Sequence, residues 1–174
     1  MPTAFPPLKF SLRRTLALVA ALLLWMPAWG MQPPAGPVIL TISGKVGSTN
    51  LQGVAAFDLA MLEALPQRSF VTSTPWYKEP TKFTGPLLRD VLAAAKASGV
   101  ALEAMALNDY KTSIPMEDAR QFDVIVAHRI NDQPISVRTK GPLFIIYPFD
   151  TTPELKAAKY YGRSAWQLKS LKVD

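Results

Sequence analysis

The sequence predicts an α+β domain with a mixed, strand-rich core. Many short segments alternate apolar and polar residues or are rich in β-branched residues, which is typical of strands. Only two or three short segments have helical periodicity, and they do not alternate with strands as in a βαβ protein. Residues 31–174 are enough for one domain with a sizeable core.

The first thirty residues are predicted to be a cleaved signal peptide rather than part of the fold. Lys9, Arg13 and Arg14 form a basic start, and an apolar run follows at 15–25. This run is shorter than the roughly 20 residues that a membrane-spanning helix needs. Small residues precede a cleavage point near Gly30, so we expect a periplasmic protein.

The rest of the chain divides into a proline-rich segment at 31–37 and the domain proper at 38–174. Strands are predicted at 38–46, 68–74, 101–107, 111–115, 123–130, 141–148 and 166–173. Helices are predicted at 59–66, where Asp58 is the cap, at 85–99 and at 152–162. Residues 74–84 are expected to be a loop, and 131–134 a turn.

The composition argues against several kinds of chemistry. The absence of cysteine excludes disulfides, thiolate metal ligands and a thiol nucleophile. A single histidine, His128, is too few for a zinc site built by the protein. The net charge of +6 falls to +3 without the leader, and the basic residues are scattered, which does not indicate a nucleic-acid or membrane surface. With no catalytic motif present, the residues alone do not indicate an enzyme.

Aromatic and polar residues at strand ends are the candidates for ligand contacts. Trp76 lies in the predicted polar loop, where a core tryptophan is not expected. The stretch "NDY" at 108–110 offers an amide, a carboxylate and a ring, although a simple Asx turn explains it equally well. His128 and Arg129 end an apolar strand, and the alternative is a strand-end pair that faces water. For any one aromatic residue, a place over the core is the simpler explanation.

The stretch "TSTPWYKEPTKFTGPLLRDVL" at 72–92 resembles the molybdopterin-binding domain of the sulfite oxidase and methionine-sulfoxide reductase superfamily. Trp76 matches the tryptophan of that family's Cys-x-x-x-Trp element, and Gly85 and Leu88 match its Gly-x-x-Leu helix start. The later stretches "NDQP", "RTKGPLFIIYP" and "WQLKSLKV" resemble its turn and its last strands. The resemblance covers about residues 39–173 and implies a sulfite-oxidase-like fold in one domain.

Thr72 departs from this family pattern. It stands four residues before Trp76, where the family carries the cysteine that ligates molybdenum. A neutral hydroxyl cannot replace a thiolate on a soft, redox-active metal. The resemblance therefore implies a retained pterin cavity without molybdenum catalysis.

The stretches "ALNDY", "GPLFIIYPFD" and "WQLKS" resemble the PruR-type periplasmic pterin-binding regulators more closely than the enzymes. This resemblance implies a non-catalytic protein that binds a reduced pterin and no molybdenum. It also implies a protein partner, the periplasmic domain of a membrane-bound diguanylate cyclase/phosphodiesterase, through which such regulators adjust cyclic-di-GMP and biofilm formation.

The resemblance implies a role for each residue of a pterin site. Trp76 or Trp166 would stack on the ring beside the polar mouth at Thr72, and Tyr110 would close the pocket. Asn108 and Asp109 would pair with the ring's edge. Arg129 and Arg163 would meet the hydroxylated side chain or the oxo group of the pterin. Gln167 and Lys169 stand where the family binds the polar tail of its cofactor.

Two other interpretations stay open. The first is an oxidoreductase that holds a molybdenum cofactor without a protein thiolate. The second is a ligand-free periplasmic interaction module in which the ancestral pocket is filled by core side chains.

Overall fold

The computed structural model describes residues 31–174, and the largest sheet of this region has five strands. Their order is β2-β1-β11-β5-β6, and only β1 and β11 run parallel to each other. The strands are β1 Leu40–Gly44, β2 Ala55–Phe57, β5 Ala101–Ala106, β6 Lys111–Pro115 and β11 Leu168–Val173. Alternate residues of β5, from Leu102 to Ala106, are buried, so one face of this sheet covers the core.

Two smaller antiparallel sheets complete the strand framework of the described region. One has the order β3-β4-β8-β9, and the other pairs β7 with β10. Their strands are β3 Gln67–Thr74, β4 Tyr77–Pro86, β7 Ile125–Ala127, β8 Arg129–Ile130, β9 Gln133–Pro134 and β10 Phe144–Ile146.

The helices within residues 31–174 are short, and none is long and apolar enough to cross a membrane. They are α1 Leu59–Glu63, α2 Leu88–Ala94, α3 Met116–Gln121 and α4 Ala158–Arg163, with a 3₁₀ turn at Pro153–Leu155. The predicted signal peptide at 1–30 lies outside the described residues.

The β7–β10 pair lies between two hydrophobic cores. Val126 and Ile145 belong to the larger core, which also contains the buried face of the five-stranded sheet. Their neighbours Ile125, Phe144 and Ile146 belong to a smaller core. All six residues of the pair are buried, because successive strand residues point to opposite faces and both faces are covered.

The structure confirms the strand-rich α+β class and most of the predicted elements. The side chain of Asp58 caps α1 and accepts a hydrogen bond of 2.8 Å from the Met61 amide. The predicted turn at 131–134 is shorter: Asn131 and Asp132, both at positive φ, form it, and residues 133–134 are strand β9. The strands predicted at 123–130 and 141–148 are shorter, and the first is interrupted at His128. The segment 152–162 splits into the 3₁₀ turn and α4.

The predicted loop at 74–84 is wrong, because most of it belongs to strand β4. Residues 77–86 pair with β3, and the register shifts between Thr72 and Thr74. Pro80 and the charged residues before it lie at this irregularity, where a strand tolerates proline. Trp76 therefore occupies the tight turn of a β-hairpin.

The predicted helix at 85–99 is also too long. Gly85 and Pro86 end β4, and α2 covers only Leu88–Ala94. Lys96, at a φ of 49°, follows the C-cap of α2. A Cβ atom on Gly85 would collide with the backbone carbonyl of Val126, so β4 and β7 approach each other closely here.

We expect Gly85→Ala to lower the free energy of unfolding by about 1–3 kcal/mol, because the added methyl group meets backbone that cannot move aside. Gly162→Ala is the matched control. Gly162 lies in α4, and a Cβ added to it would have no atom within 4 Å, so alanine should be neutral or stabilising there. Urea unfolding of both variants measures the difference, and equal stabilities would contradict the close approach.

Candidate functional site

A small cavity lies between the tip of the β3–β4 hairpin, the β5–β6 turn and the end of α4. Its volume is about 260 Å³. Four of the predicted site residues line it, namely Trp76, Asn108, Tyr110 and Trp166. The remaining lining residues are Pro75, Tyr161, Gly162 and Ser164, which the sequence interpretation did not assign to the site.

The two tryptophans of the cavity contact each other edge to face. The ring centroids of Trp76 and Trp166 are 5.7 Å apart, and their planes meet at 76°. Trp76 also contacts the rings of Phe144 and Tyr161 and packs against both hydrophobic cores. Trp76 therefore connects the cavity wall to the centre of the fold, so its role is structural whatever the cavity holds.

Hydrogen bonds fix the turn between β5 and β6 against α4. The Tyr110 hydroxyl donates to the Gly162 carbonyl at 2.8 Å. The Asn108 side-chain oxygen accepts from the Tyr110 amide at 3.2 Å, and Asp109 has a φ of 63°. Asn108 thus forms the Asx turn that the sequence left open, and its side-chain NH₂ group has no hydrogen-bond partner among residues 31–174.

Charged residues near the cavity pair with each other rather than line it. Asp109 lies 2.8 Å from the Lys169 ammonium, which lowers the pKa of this carboxyl. Gln167 donates from its side chain to the Val137 carbonyl, at 2.7 Å. No charged side chain belongs to the cavity lining in the described part of the chain.

Arg163 turns towards the interior of the fold instead of the cavity. Its guanidinium donates to the buried Asp118 carboxylate at 2.8 Å, and the Tyr147 hydroxyl donates to the same oxygen at 2.7 Å. Burial, together with the Asp118 carboxylate, raises the pKa of Tyr147 far above its ordinary value of 10.0. These contacts hold the end of α4, which supplies Tyr161 and Gly162 to the cavity.

Thr72 is buried beside the hairpin and does not line the cavity. Its hydroxyl accepts a hydrogen bond of 3.1 Å from the Asp150 amide, and the Ser73 amide donates to the Asp150 carboxylate at 2.6 Å. Asp150 also pairs with Lys156 at 2.7 Å, and these contacts lower its pKa to about 2. The side chain of Thr72 therefore ties β3 to the segment after β10.

Arg129 belongs to strand β8 and does not line the cavity. Its guanidinium pairs with Glu63 of α1 at 2.9 Å. The neighbouring His128 is buried, and its Nε2 lies 2.9 Å from the Gln67 side-chain oxygen. Burial lowers the pKa of His128, with Glu63 opposing and Arg129 reinforcing the shift.

Two larger recesses lie outside the cavity. One, of about 500 Å³, is lined by Tyr77, Ile135 and Lys140, among others. The other, of about 420 Å³, is lined by residues of β3 and by the segments around Phe122 and Pro148. Neither is lined by a residue predicted for the site, whereas the cavity brings four of them together.

Comparison with known proteins identifies the family. Residues 41–151, well over half of the chain, match the family described as the oxidoreductase molybdopterin binding domain. The chain belongs to this family. The match includes the β3–β4 hairpin and the β5–β6 turn but ends before α4 and Trp166. No significant match is found among curated protein sequences.

A solved structure supports the same fold for this family member. The sulfane dehydrogenase SoxCD from Paracoccus pantotrophus superposes with a TM-score of 0.58 at 17% sequence identity. The alignment covers 77% of this chain and 37% of the SoxCD chain. At this identity the likeness establishes the sulfite-oxidase-like fold, and this chain spans little more than a third of its relative.

The residues of the cavity do not fit the molybdenum cofactor that the family name implies. No cysteine exists in the sequence to ligate molybdenum, and no group of His, Asp and Glu residues within 31–174 is arranged to hold a metal. Molybdopterin carries a phosphate, yet the lining offers no cation to pair with it. The aromatic and amide groups fit a smaller, uncharged ring.

We expect Thr72→Val to lower the free energy of unfolding by about 1–3 kcal/mol, because it leaves the Asp150 amide without its acceptor. Thr112→Val on β6 is the control, since the Thr112 hydroxyl makes no hydrogen bond within residues 31–174. Its effect should stay within about 0.5 kcal/mol. Chemical denaturation measures both variants, and equal losses would show that the Thr72 hydroxyl does not tie the strands together.

We also expect His128 to make the folded state less stable in mild acid. Its pKa is lower in the folded state than its ordinary value of 6.5, so the unfolded chain binds more protons as the pH falls below that value. NMR titration of the imidazole should give the lowered pKa. The variant His128→Gln should reduce the loss of stability between about pH 7.5 and 5.5, where histidine titrates. If the stability of His128→Gln depends on pH as that of the unmodified protein does, protonation of His128 does not destabilise the folded state.

Proposed function

We propose that this protein is a non-catalytic pterin-binding protein. The carrying observation is the small cavity whose lining is aromatic and polar but uncharged, with Trp76, Trp166, Tyr110 and Asn108 as neighbours. Its volume of about 260 Å³ lies just below the range of about 300–1,000 Å³ that is typical of drug-sized ligands. A two-ring pterin is of this size, whereas molybdopterin with its third ring and phosphate is larger.

The chemistry of the lining suits the pterin ring. The flat faces of the ring gain on the order of 1 kcal/mol from an aromatic contact beyond burial. Its amino-pyrimidinone edge carries donors and acceptors, and the NH₂ group of Asn108, which has no partner among residues 31–174, can donate to this edge. Buried polar groups left unpaired are costly. The protein groups that pair with this edge would therefore disfavour a ring whose edge has a different pattern of donors and acceptors.

We further propose a regulatory role in the periplasm. The resemblance to PruR-type regulators supports a protein that reports a reduced pterin to the periplasmic domain of a membrane-bound diguanylate cyclase/phosphodiesterase. Control of cyclic-di-GMP and of biofilm formation would follow from that contact. The buried, hydrogen-bonded hydroxyl of Thr72 at the family's cysteine position supports a binding role over an oxidoreductase role.

Calorimetric titration with dihydroneopterin and with its triphosphate tests the pterin proposal. We expect dihydroneopterin to bind with one site per chain, and the triphosphate to bind no more tightly, because no cation lines the cavity. A site that recognises phosphate groups would bind the triphosphate with about tenfold or greater affinity than dihydroneopterin. If neither compound binds, the proposal is wrong.

Matched variants place the ligand in the cavity. Trp166→Ala should weaken binding of dihydroneopterin about five- to tenfold through the lost ring contact. Tyr110→Phe should weaken it by removing the hydrogen bond to Gly162, whereas Tyr77→Phe, in a different recess, should not. Elemental analysis and mass spectrometry of the protein purified from its native host complete the test. Stoichiometric molybdenum would favour the oxidoreductase. If no small molecule co-purifies with the protein, the ligand-free module is favoured.

A further inference from the structure

The indole ring of Trp166 has a cation over one of its faces. The Lys140 ammonium lies 4.2 Å from the centroid of this ring, which is a cation–π contact. Trp166 also lines the cavity. A planar ligand cannot stack on the face that Lys140 occupies, so the opposite face of the indole is the one that a ligand can use.

Backbone hydrogen bonds bring Lys140 to this ring. The Gln167 amide donates to the Lys140 carbonyl at 2.8 Å, and the Leu168 amide donates to the Leu143 carbonyl at 3.0 Å. The two segments therefore run side by side, and Lys140 is bonded to the residue that follows Trp166. The Lys140 side chain also lines the recess of about 500 Å³. The contact of the ammonium with the indole thus follows from the pairing of the two segments.

Lys140 has no carboxylate partner in the described part of the chain. The other cations near the cavity differ in this respect, because Lys169 pairs with Asp109 and Arg163 pairs with Asp118, both at 2.8 Å. Burial lowers the pKa of Lys140, because its surroundings solvate the ammonium less well than water does. Water also screens this charge less than that of an exposed lysine. An uncompensated positive charge therefore lies behind one aromatic wall of the cavity.

A cation behind an aromatic ring changes which planar ligand the ring prefers. The ammonium attracts the π electrons of the indole and adds a positive potential at its free face. A ligand ring with more π-electron density has a more negative face, so it is favoured there over a ring with less. The indole separates the ammonium from the cavity. Lys140 can therefore act on the ligand through its field without contacting it.

We propose that Lys140 is a specificity-determining residue that makes the cavity prefer electron-rich, reduced rings. A dihydropterin is such a ring, because reduction adds hydrogen to the electron-poor pyrazine half of the oxidised pterin. The inference rests on the function proposed above and adds the physical basis of selectivity between oxidation states. The ligand is neither oxidised nor reduced by the protein in this role.

Calorimetric titrations in the absence of oxygen test the proposal with dihydroneopterin and with neopterin, its oxidised counterpart. The unmodified protein should bind dihydroneopterin more tightly. Lys140→Met and Lys140→Gln remove the charge, and each should lower the ratio of the two affinities about threefold or more, the scale of a partly exposed cation–π contact. Lys140→Arg keeps a cation over the ring and should keep this ratio within about 1.5-fold.

The ratio of affinities distinguishes this role from a structural one. A substitution that only loosened the cavity would weaken both ligands alike, so an unchanged ratio in Lys140→Met and Lys140→Gln overturns the proposal. A ratio that falls as far in Lys140→Arg as in Lys140→Met also overturns it.

Lys159→Met is the matched control variant. The Lys159 ammonium lies 4.5 Å from the centroid of the Tyr160 ring, and Tyr160 does not line the cavity. This substitution removes a contact of the same kind from a ring that the ligand does not touch, so the ratio should stay unchanged. A decrease as large as that in Lys140→Met would show that the effect does not come from the Trp166 ring and would overturn the proposal.

Ultraviolet difference spectra of the ligand-free protein give a second measurement. Loss of the ammonium should shift the indole absorption band in Lys140→Met, and the same substitution in a Trp166→Phe background should produce no shift. If Lys140→Met produces no shift either, the contact is absent in solution and the proposal is wrong.

The titrations also separate this inference from the proposed function. If the unmodified protein binds neither pterin, the proposed function fails and the role of Lys140 falls with it. If it binds dihydroneopterin but the ratio does not respond to Lys140, only the role of Lys140 fails.

Discussion

The fold depends on the β7–β10 pair, which must be apolar on both of its faces. Because successive strand residues point in opposite directions, Val126 and Ile145 enter one core while Phe144 and Ile146 enter the other. The hairpin of β3 and β4 then places Trp76 against both cores. A polar substitution in this pair would leave an unpaired group between two dry layers, and the wall of the cavity would move with it.

The cavity is neutral because the neighbouring charges are used elsewhere. Arg163 is engaged by Asp118 inside the fold, and Lys169 by Asp109 at the surface. Thr72 is engaged by the Asp150 amide. These side chains therefore hold parts of the chain together rather than face the cavity. The aromatic wall of the cavity forms no ion pair of this kind.

Local pattern predicted most of the elements, whereas long-range contacts decided the rest. The apolar runs and the Asp58 cap were sufficient for the predicted strands and for α1, but they did not reveal β2 or α3. The stretch around Pro80 resembles a loop in sequence, and only pairing with β3 makes it a strand. Trp76, Asn108, Tyr110 and Trp166 were predicted as neighbours from a family resemblance. Spacing alone could not reveal that Arg163 turns inwards, since its partner Asp118 lies 45 residues away.

The edge-to-face contact of Trp76 and Trp166 has an optical consequence. The sequence has four tryptophans, and the other two lie in the first thirty residues. In a chain that begins at Met31, all indole emission would therefore come from two rings 5.7 Å apart in the cavity wall. Rings this close couple electronically and absorb as a pair. The near-ultraviolet spectrum of such a chain reports on one place in the molecule, and a planar guest beside either ring would change it without any attached label.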